Sequence, residues 1–155
     1  MDTNNNDTNS NGNQTPLPSG GAGGGFRLSP NFSLAEMVAT SHRKLQDTPS
    51  MEVIQNLQHL CIHVLQPLRD TVGAPVYINS GYRSKRLNAR VGGVKNSYHL
   101  RGLAADIHVD NEEHAKVLFD ILKQNKYVHR VIIERKNSTR WIHVQTDIQN
   151  TPQEV

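Results

Sequence analysis

SYHLRGLAAD, residues 97–106, is the segment of this chain from which both fold and chemistry can be inferred. It contains the pattern S-x-H-x-x-G-x-A-x-D, in which His99 supplies an imidazole and Asp106 a carboxylate. Gly102 between them permits a sharp bend, since it has no Cβ that could clash. The apolar run that begins after Asp106 is typical of a short strand. The segment therefore predicts a loop that leads into a strand, with a histidine before the bend and an aspartate where the strand begins.

Histidine and aspartate are two of the ligand types that zinc accepts, the other being cysteine thiolate. A structural zinc site more often recruits cysteines, whereas histidine and aspartate are typical of a catalytic metal with a position open to water. We expect the third ligand from WIHV, residues 141–144, because an alternating strand would place Trp141 and His143 together on the face away from the core. A surface histidine and a strand-capping aspartate would be the simpler interpretation of the first pair if each stood alone.

The two motifs together resemble those of the zinc D-Ala-D-Ala carboxypeptidase and L,D-endopeptidase family of bacterial cell-wall peptidases (peptidase M15-like). The fold of that family is shared with the signalling domain of Hedgehog proteins. All five fixed positions of the first motif are matched, and the resemblance extends from about Phe32 to Thr146. It includes GYRS, residues 81–84, which is similar to the arginine-bearing turn of the family. The resemblance implies an α+β fold in which helices pack against an antiparallel sheet.

The resemblance also implies roles for individual residues. One Zn²⁺ per chain would be held by His99, Asp106 and His143. Arg83 would bind a substrate carboxylate or the oxyanion, for which a guanidinium group is well suited, while a surface arginine is the simpler alternative. Ser97 and Trp141 would contact the substrate, although Ser97 could equally serve as a local turn or cap residue.

A zinc hydrolase also needs a general base near its water molecule. In several relatives an acid stands three residues before the last histidine ligand, but here that position is Arg140. A hairpin that turns at residues 137–138 would pair Glu134 with Trp141. Directly opposed residues share a face, so the Glu134 carboxylate would lie on the face of His143. Glu134 is therefore the predicted base; a slip of one residue in register would turn it away and leave a solvated residue at the strand end.

Three other histidines offer weaker alternatives. His108 could share the strand face of Asp106 and replace a ligand, although a histidine on a strand surface is the simpler interpretation. His59 and His63 have the spacing of the helical H-E-x-x-H zinc motif. Leu60 stands where that motif requires a glutamate, which excludes this interpretation.

Hydrophobic periodicity and capping residues predict the secondary structure. Helices are expected at residues 34–39, 50–72, 85–91 and 111–124, and strands at 76–79, 106–109, 129–134 and 140–146. Pro67 should kink or break the longest helix near Val64, because proline lacks the N–H of the helical hydrogen bond. Asp110 should cap the helix that follows it. Most helices precede most strands, which also favours the α+β class.

The first 25 residues differ in composition from the remainder. They are rich in Asn, Gly, Thr and Ser and almost lack large apolar side chains, so they cannot offset the entropy of ordering. We expect a disordered tail at 1–25, a zinc peptidase domain at 26–148 and a C-terminal tail at 149–155. The chain has 17 basic and 14 acidic residues; Asp2 and Asp7 lie in the first tail, which leaves a net charge of +5 elsewhere.

A basic domain suits polyanions such as nucleic acid, an anionic membrane or an acidic cell wall. No run of basic residues alternates with aromatic ones, so we do not expect nucleic-acid binding. No apolar stretch is long enough to span a membrane, and Cys61, the single cysteine, cannot form an internal disulfide. The N-terminus lacks the basic and apolar regions of a secretory signal peptide. We therefore expect a monomer made in the cytoplasm that acts at the cell wall or periplasm, for example as a phage lysis protein.

The implied function is hydrolysis of peptide bonds in the stem peptides of bacterial peptidoglycan, as in a D-Ala-D-Ala carboxypeptidase. An L-Ala-D-Glu endopeptidase of the phage-lysin type is the alternative within the same enzyme class. A wall-binding or phage structural module that kept the fold without catalysis is the alternative of another class, and Arg140 is the feature that supports it.

Overall fold

Helices occupy most of the first part of the chain and strands most of the second. The structure, a computed structural model, describes residues 25–148. The elements in chain order are β1 (Arg27–Ser29), β2 (Phe32–Ser33), α1 (Leu34–Val38), a 3₁₀ turn (Arg43–Leu45), α2 (Met51–Leu60), a π-helical turn (Cys61–Leu65), α3 (Gln66–Val72), β3 (Ile78–Ser80), α4 (Lys85–Arg90), a second 3₁₀ turn (Tyr98–Arg101), β4 (Ala104–His108), α5 (Glu112–Lys123), β5 (Val128–Lys136) and β6 (Thr139–Thr146). The expected α+β class is confirmed. The tails expected at 1–25 and 149–155 lie outside the described residues, apart from Gly25.

The central sheet is antiparallel, with its four strands in the order β3-β4-β6-β5. Successive residues of a strand point to opposite faces, so β4 and β6 each contribute to two surfaces. On one face Ile107, Ile142 and Val144 are fully buried and form one core with apolar side chains of α2, α3 and α5. We call this the core face. The other, the metal-site face, carries Asp106 directly opposite His143.

The hairpin of β5 and β6 has the register that the sequence predicts. Glu134 is paired with Trp141, and Ile132 with His143. The turn contains Asn137 at a φ of 59°, a left-handed conformation that asparagine tolerates better than most residues. The turn thus fixes the register, and with it the face to which Glu134 belongs.

The long helix continues through Pro67 instead of breaking near Val64. A π-helical turn at Cys61–Leu65 precedes the proline and accommodates one extra residue in the helix. Pro67 cannot donate to the carbonyl of His63, four residues earlier. That carbonyl accepts a hydrogen bond from Asn125 Nδ2 at 2.8 Å instead. The disruption expected near Val64 thus takes the form of a local change of helix type, and the freed carbonyl keeps a partner.

Two predicted element starts are displaced by local contacts. Asn111, not Asp110, caps α5, since its Oδ1 accepts the N–H of His114 at 2.8 Å. Strand β4 begins at Ala104 because its pairing with β6 starts there, so Asp106 lies in mid-strand rather than at the strand start. Within residues 25–148, no helix combines the length and the hydropathy needed to cross a membrane.

Candidate metal centre

The three predicted metal ligands converge on the metal-site face. Asp106 and His143 come from neighbouring strands, and His99 comes from the 3₁₀ turn that precedes β4. Asp106 Oδ1 lies 3.2 Å from His99 Nε2 and 3.0 Å from His143 Nδ1. One donor atom from each residue lies within 4.8 Å of the others. His99 and Asp106 are buried, and His143 is half-buried, so the site opens on one side.

Both histidine rings are oriented by a hydrogen bond on the nitrogen that faces away from Asp106. His99 Nδ1–H donates to the carbonyl oxygen of Gly81 at 2.7 Å. His143 Nε2–H donates to Oε1 of Gln145, also at 2.7 Å. Each bond selects the tautomer whose other nitrogen presents a lone pair, as is usual for histidines that ligate a metal. In neutral rings, three acceptor atoms therefore face one another at the centre of the site.

The charges at this centre favour a cation. Burial alone would raise the pKa of Asp106, but the hydrogen bonds and positive charge of His143 and His99 outweigh it, and its pKa lies well below the usual range. Burial lowers the pKa of His143, but hydrogen bonds with Asp106 and Gln145 and the charges of Asp106 and Glu134 raise it above its usual value. Acceptor atoms at about 3 Å repel one another unless a proton or a metal ion lies between them. The carboxylate of Asp106 therefore stays ionised, which suits a site that accepts a positive ion.

The donor set fits Zn²⁺. Zinc binds imidazole nitrogen and carboxylate oxygen at about 2.0–2.2 Å, so neighbouring donors of a tetrahedral site lie about 3.4 Å apart. The separations of 3.0 and 3.2 Å around Asp106 Oδ1 are close to this value. Three protein ligands would leave a fourth position for water or substrate, which is the pattern of catalytic rather than structural zinc.

Comparison with protein families supports this assignment. The peptidase M15 profile matches residues 30–145, a range that includes all but the last residue of the central sheet and all three candidate ligands. This chain belongs to the peptidase M15 family. A search among curated proteins finds no match. Membership of this peptidase family implies that the M15 domain is a hydrolase.

Arg83 of the M15 domain lies behind Asp106 and not in the open part of the site. Its Nη2 donates to Asp106 Oδ2, its Nε to Ser80 Oγ and its Nη1 to Asn88 Oδ1, each at 3.1 Å. The side chain is only 14 % exposed. Arg83 thus occupies one carboxylate oxygen and leaves Oδ1 to the two histidines. This geometry gives Arg83 a part in positioning a candidate ligand, and its expected contact with substrate stays a prediction.

Two glycines allow the backbone to pack around this arginine. A Cβ at Gly81 would lie 2.4 Å from the carbonyl oxygen of Met37. A Cβ at Gly93 would lie 2.1 Å from Asn88 Oδ1 and 3.0 Å from Arg83 Nη1. Side chains at these positions would displace the groups that hold Asp106 and His99.

Glu134 reaches the metal-site face from the neighbouring strand. Its Oε1 is 4.0 Å from His143 Nδ1, and 40 % of its side chain is exposed, so it lies on the open side. Arg140 is an odd number of residues from His143 and therefore faces the core side of the sheet. There it pairs with Glu112 Oε2 at 2.9 Å, and Glu112 also contacts Arg135. The departure at Arg140 thus concerns the opposite face of the sheet, and the acid beside the ligands comes from β5.

Ser97 and Trp141 border the centre in different ways. The hydroxyl of Ser97 accepts the backbone N–H of His99 at 3.1 Å, so Ser97 at least has the local capping role. Trp141 lies between His108 and Glu134 in the adjacent row of the sheet. Its indole N–H is buried and has no hydrogen-bond partner among the described residues. A buried donor without a partner carries a desolvation cost that a hydrogen bond would relieve.

The remaining alternative histidines lie outside the cluster. His108 Nε2 is 2.9 Å from Asp110 Oδ1 on the exposed side. The rings of His59 and His63 are 4.7 Å apart, and His63 stacks on Tyr127 at 4.3 Å. None of these three belongs to the group that could hold a metal.

The groups that orient the ligands are not among the residues predicted from the sequence. Gln145 could have been found, because strand alternation puts it on the face of His143. The sequence does not indicate the Gly81 carbonyl, because any residue type can supply a backbone acceptor. It does not indicate Asn88 either, because this side chain reaches Arg83 from helix α4.

Proposed function

We propose that this M15 domain is a zinc peptidase that hydrolyses the stem peptides of bacterial peptidoglycan, with D-Ala-D-Ala carboxypeptidase activity as the first expectation. The observation that carries the proposal is the convergence of two oriented histidines and one ionised aspartate on an open sheet face. The family match gives the reaction class, and M15 peptidases are zinc-dependent. Zn²⁺, when bound, supplies Lewis acidity toward the scissile carbonyl and acidifies a water molecule.

Glu134 is the proposed general base. It accepts a proton from the attacking water and returns it to the leaving nitrogen as the C–N bond breaks. The water oxygen remains in the new carboxylate, and the proton is carried away on the new amine. The exposure of Glu134 and its distance of 4.0 Å from His143 support this role, because the base must reach substrate and water from the open side.

Trp141 and Ser97 are proposed to position the substrate. The indole N–H of Trp141 is a buried donor without a partner among the described residues, so a peptide carbonyl is a suitable acceptor. Ser97 already accepts a hydrogen bond from the backbone, and its hydroxyl can still donate one to substrate. Arg83 acts through Asp106, whose second oxygen it holds in place.

An L-Ala-D-Glu endopeptidase is the second candidate. A groove that Ser97 helps to line lies between α4 and the Tyr98–Arg101 turn, which favours a substrate that continues past the scissile bond. A non-catalytic wall-binding module is the alternative outside the enzymes, and the complete set of three candidate ligands weighs against it.

The test combines metal analysis with digestion of purified muropeptides, read by mass. We expect about one Zn²⁺ per chain, and loss of activity on chelation that added zinc restores. Removal of one terminal D-Ala would identify the carboxypeptidase, and cleavage between L-Ala and D-Glu the endopeptidase.

Matched histidine variants control the experiment. His99→Ala should lose zinc and activity, whereas His108→Ala, on the same face but outside the cluster, should keep both. Unchanged zinc content in His99→Ala would exclude the proposed site. Stoichiometric zinc without cleavage of any muropeptide would favour the non-catalytic module.

A further inference from the structure

A basic groove borders the metal centre. It lies between α4 and the Tyr98–Arg101 turn and encloses about 900 Å³. Its polar lining includes Lys85, Lys95, Arg101, Asn88, Asn96 and Ser97, and no acidic side chain among residues 25–148 lines it. Cations and amide donors in one concave surface are the groups that recognise carboxylate and other oxyanions.

The charge of this groove has its origin in the sequence. Residues 71–105 contain six basic side chains and no acidic one. Arg83 is paired with Asp106, and Arg86 with Asp47. Within residues 25–148, no carboxylate lies at ion-pair distance from Lys85 or Lys95, so their charges are not balanced inside the described part of the protein. An anionic ligand would supply the missing partner.

The groove is joined to the metal centre by shared residues. Asn88 lines the groove and accepts a hydrogen bond from Arg83, which in turn donates to Asp106. Ser97 lines the groove as well, and its hydroxyl caps the N–H of His99. A peptide bound across the metal would therefore continue into the groove without a change of surface.

One wall of the groove is held in place by contacts with neighbouring elements. The Arg101 guanidinium lies over the Tyr98 ring, 5.6 Å from its centroid. The backbone carbonyl of Arg101 accepts a hydrogen bond from Asn56 Nδ2 of helix α2 at 2.8 Å. These contacts fix the turn that carries the cation before any ligand arrives, and preorganisation of this kind favours binding.

We infer that this groove binds free carboxylates of the substrate peptide, so the enzyme selects acidic stem peptides over those whose carboxylates are amidated. The inference rests on the proposed function, because it assigns the groove to the same substrate. Stem peptides carry free carboxylates on their D-Glu and diamino-acid residues unless these are amidated. Lys85 and Lys95 meet such groups as exposed ion pairs, each of which changes affinity by about 1.5- to 5-fold.

The test measures hydrolysis of one stem peptide in two forms, with free and with amidated carboxylates. Wild type should show a lower KM for the free form, with a similar kcat for both. The double variant Lys85→Gln/Lys95→Gln should raise KM for the free form by roughly 3- to 10-fold and leave the amidated form unchanged. Raising the ionic strength from about 0.01 M to 0.15 M should reduce the preference, since the screening length falls from about 30 to 8 Å.

A matched control removes the same charge elsewhere. Lys116→Gln/Lys123→Gln changes two exposed lysines of helix α5, outside the groove and the metal centre. It should keep the preference of wild type. Equal loss of preference in both double variants would overturn the inference, because net charge and not the groove would then govern selection.

A binding measurement separates this inference from the proposed function. Fluorescence anisotropy with both labelled peptides is measured on Glu134→Gln, which keeps all three candidate ligands, with and without the two groove substitutions. If Glu134→Gln binds the free form preferentially but wild type hydrolyses neither form, the carboxylate-binding role of the groove stands and the proposed peptidase activity is refuted. If both forms are hydrolysed with equal KM and bound equally well, the carboxylate-binding role of the groove is refuted and the proposed peptidase activity is retained. Tighter, lysine-dependent binding of polyphosphate than of the acidic peptide would overturn the carboxylate assignment.

Discussion

The two faces of the central sheet are made by the same strands and obey different rules. On the core face, Ile107 and Ile142 are opposed and fully buried, and their contribution depends on the volume they fill. On the metal-site face, Asp106 and His143 are opposed one residue away, and their contribution depends on the position of single atoms. Adjacent residues of one strand thus contribute to different properties. A substitution on the core face should lower stability, whereas a substitution on the metal-site face should impair the site.

The largest effect is expected from His143→Ala on the metal-site face. The variant loses one of three ligands, so zinc content and peptidase activity should fall together to background. Its circular dichroism spectrum should remain that of wild type, because the core face is untouched. Zinc bound at full stoichiometry with normal affinity would show that the cluster is not the metal site.

Glu134→Gln should produce the next largest effect and separate chemistry from metal binding. Glutamine keeps the size of the side chain but cannot take up the proton, so kcat should fall by roughly 10²–10⁴-fold. Zinc content should not change, since no ligand is removed. The exposed Glu113→Gln on α5 serves as the matched control and should retain wild-type kcat. Full activity of Glu134→Gln would remove Glu134 from the mechanism.

Ile142→Ala tests the opposite face, one residue from His143. Ile142 is fully buried, so the cavity should lower the free energy of unfolding by about 2–5 kcal/mol in a denaturant titration. The folded fraction should still bind zinc. Val117→Ala, at an exposed apolar position, should change the free energy by less than about 0.5 kcal/mol. Loss of zinc from folded Ile142→Ala would mean that the two faces are not independent.

Arg83→Lys should produce the smallest of these effects and decide between two roles. If Arg83 positions Asp106, zinc affinity measured against a competing chelator should fall by about 10- to 100-fold. Lysine keeps the charge but cannot contact Ser80, Asn88 and Asp106 at once. If Arg83 anchors substrate instead, KM should rise while zinc affinity stays constant. The second result would contradict the positioning role.

The sequence was sufficient to predict those features of the fold and the site that follow a local, periodic pattern. Strand alternation and the turn at Asn137 gave the register that puts Glu134 on the face of His143, and the Ser97–Asp106 motif gave two of the three candidate ligands. It was insufficient where a long-range partner decides the outcome. The contact of Arg83 with Asp106 joins residues 23 positions apart, and no periodicity encodes it.

Predictions of element boundaries were also limited by long-range partners. Alanine has a low intrinsic preference for strands, yet β4 begins at Ala104 because β6 pairs with it. The long helix passes Pro67 because Asn125, from the chain after α5, supplies the hydrogen bond that proline cannot. In both places tertiary contacts override the local preference of the sequence.

The π-helical turn at Cys61–Leu65 links the geometry of the buried helix to that of the metal centre. A regular α-helix advances by about 100° per residue, so if the same residues formed an uninterrupted α-helix, Met51–Leu60 would be rotated by about that angle relative to Gln66–Val72. Asn56 would then swing away from the carbonyl of Arg101, and the turn that carries His99 would lose its anchor. A change that converts this turn into regular α-helix would thus act first on the metal-site face, although the turn itself lies in the hydrophobic core.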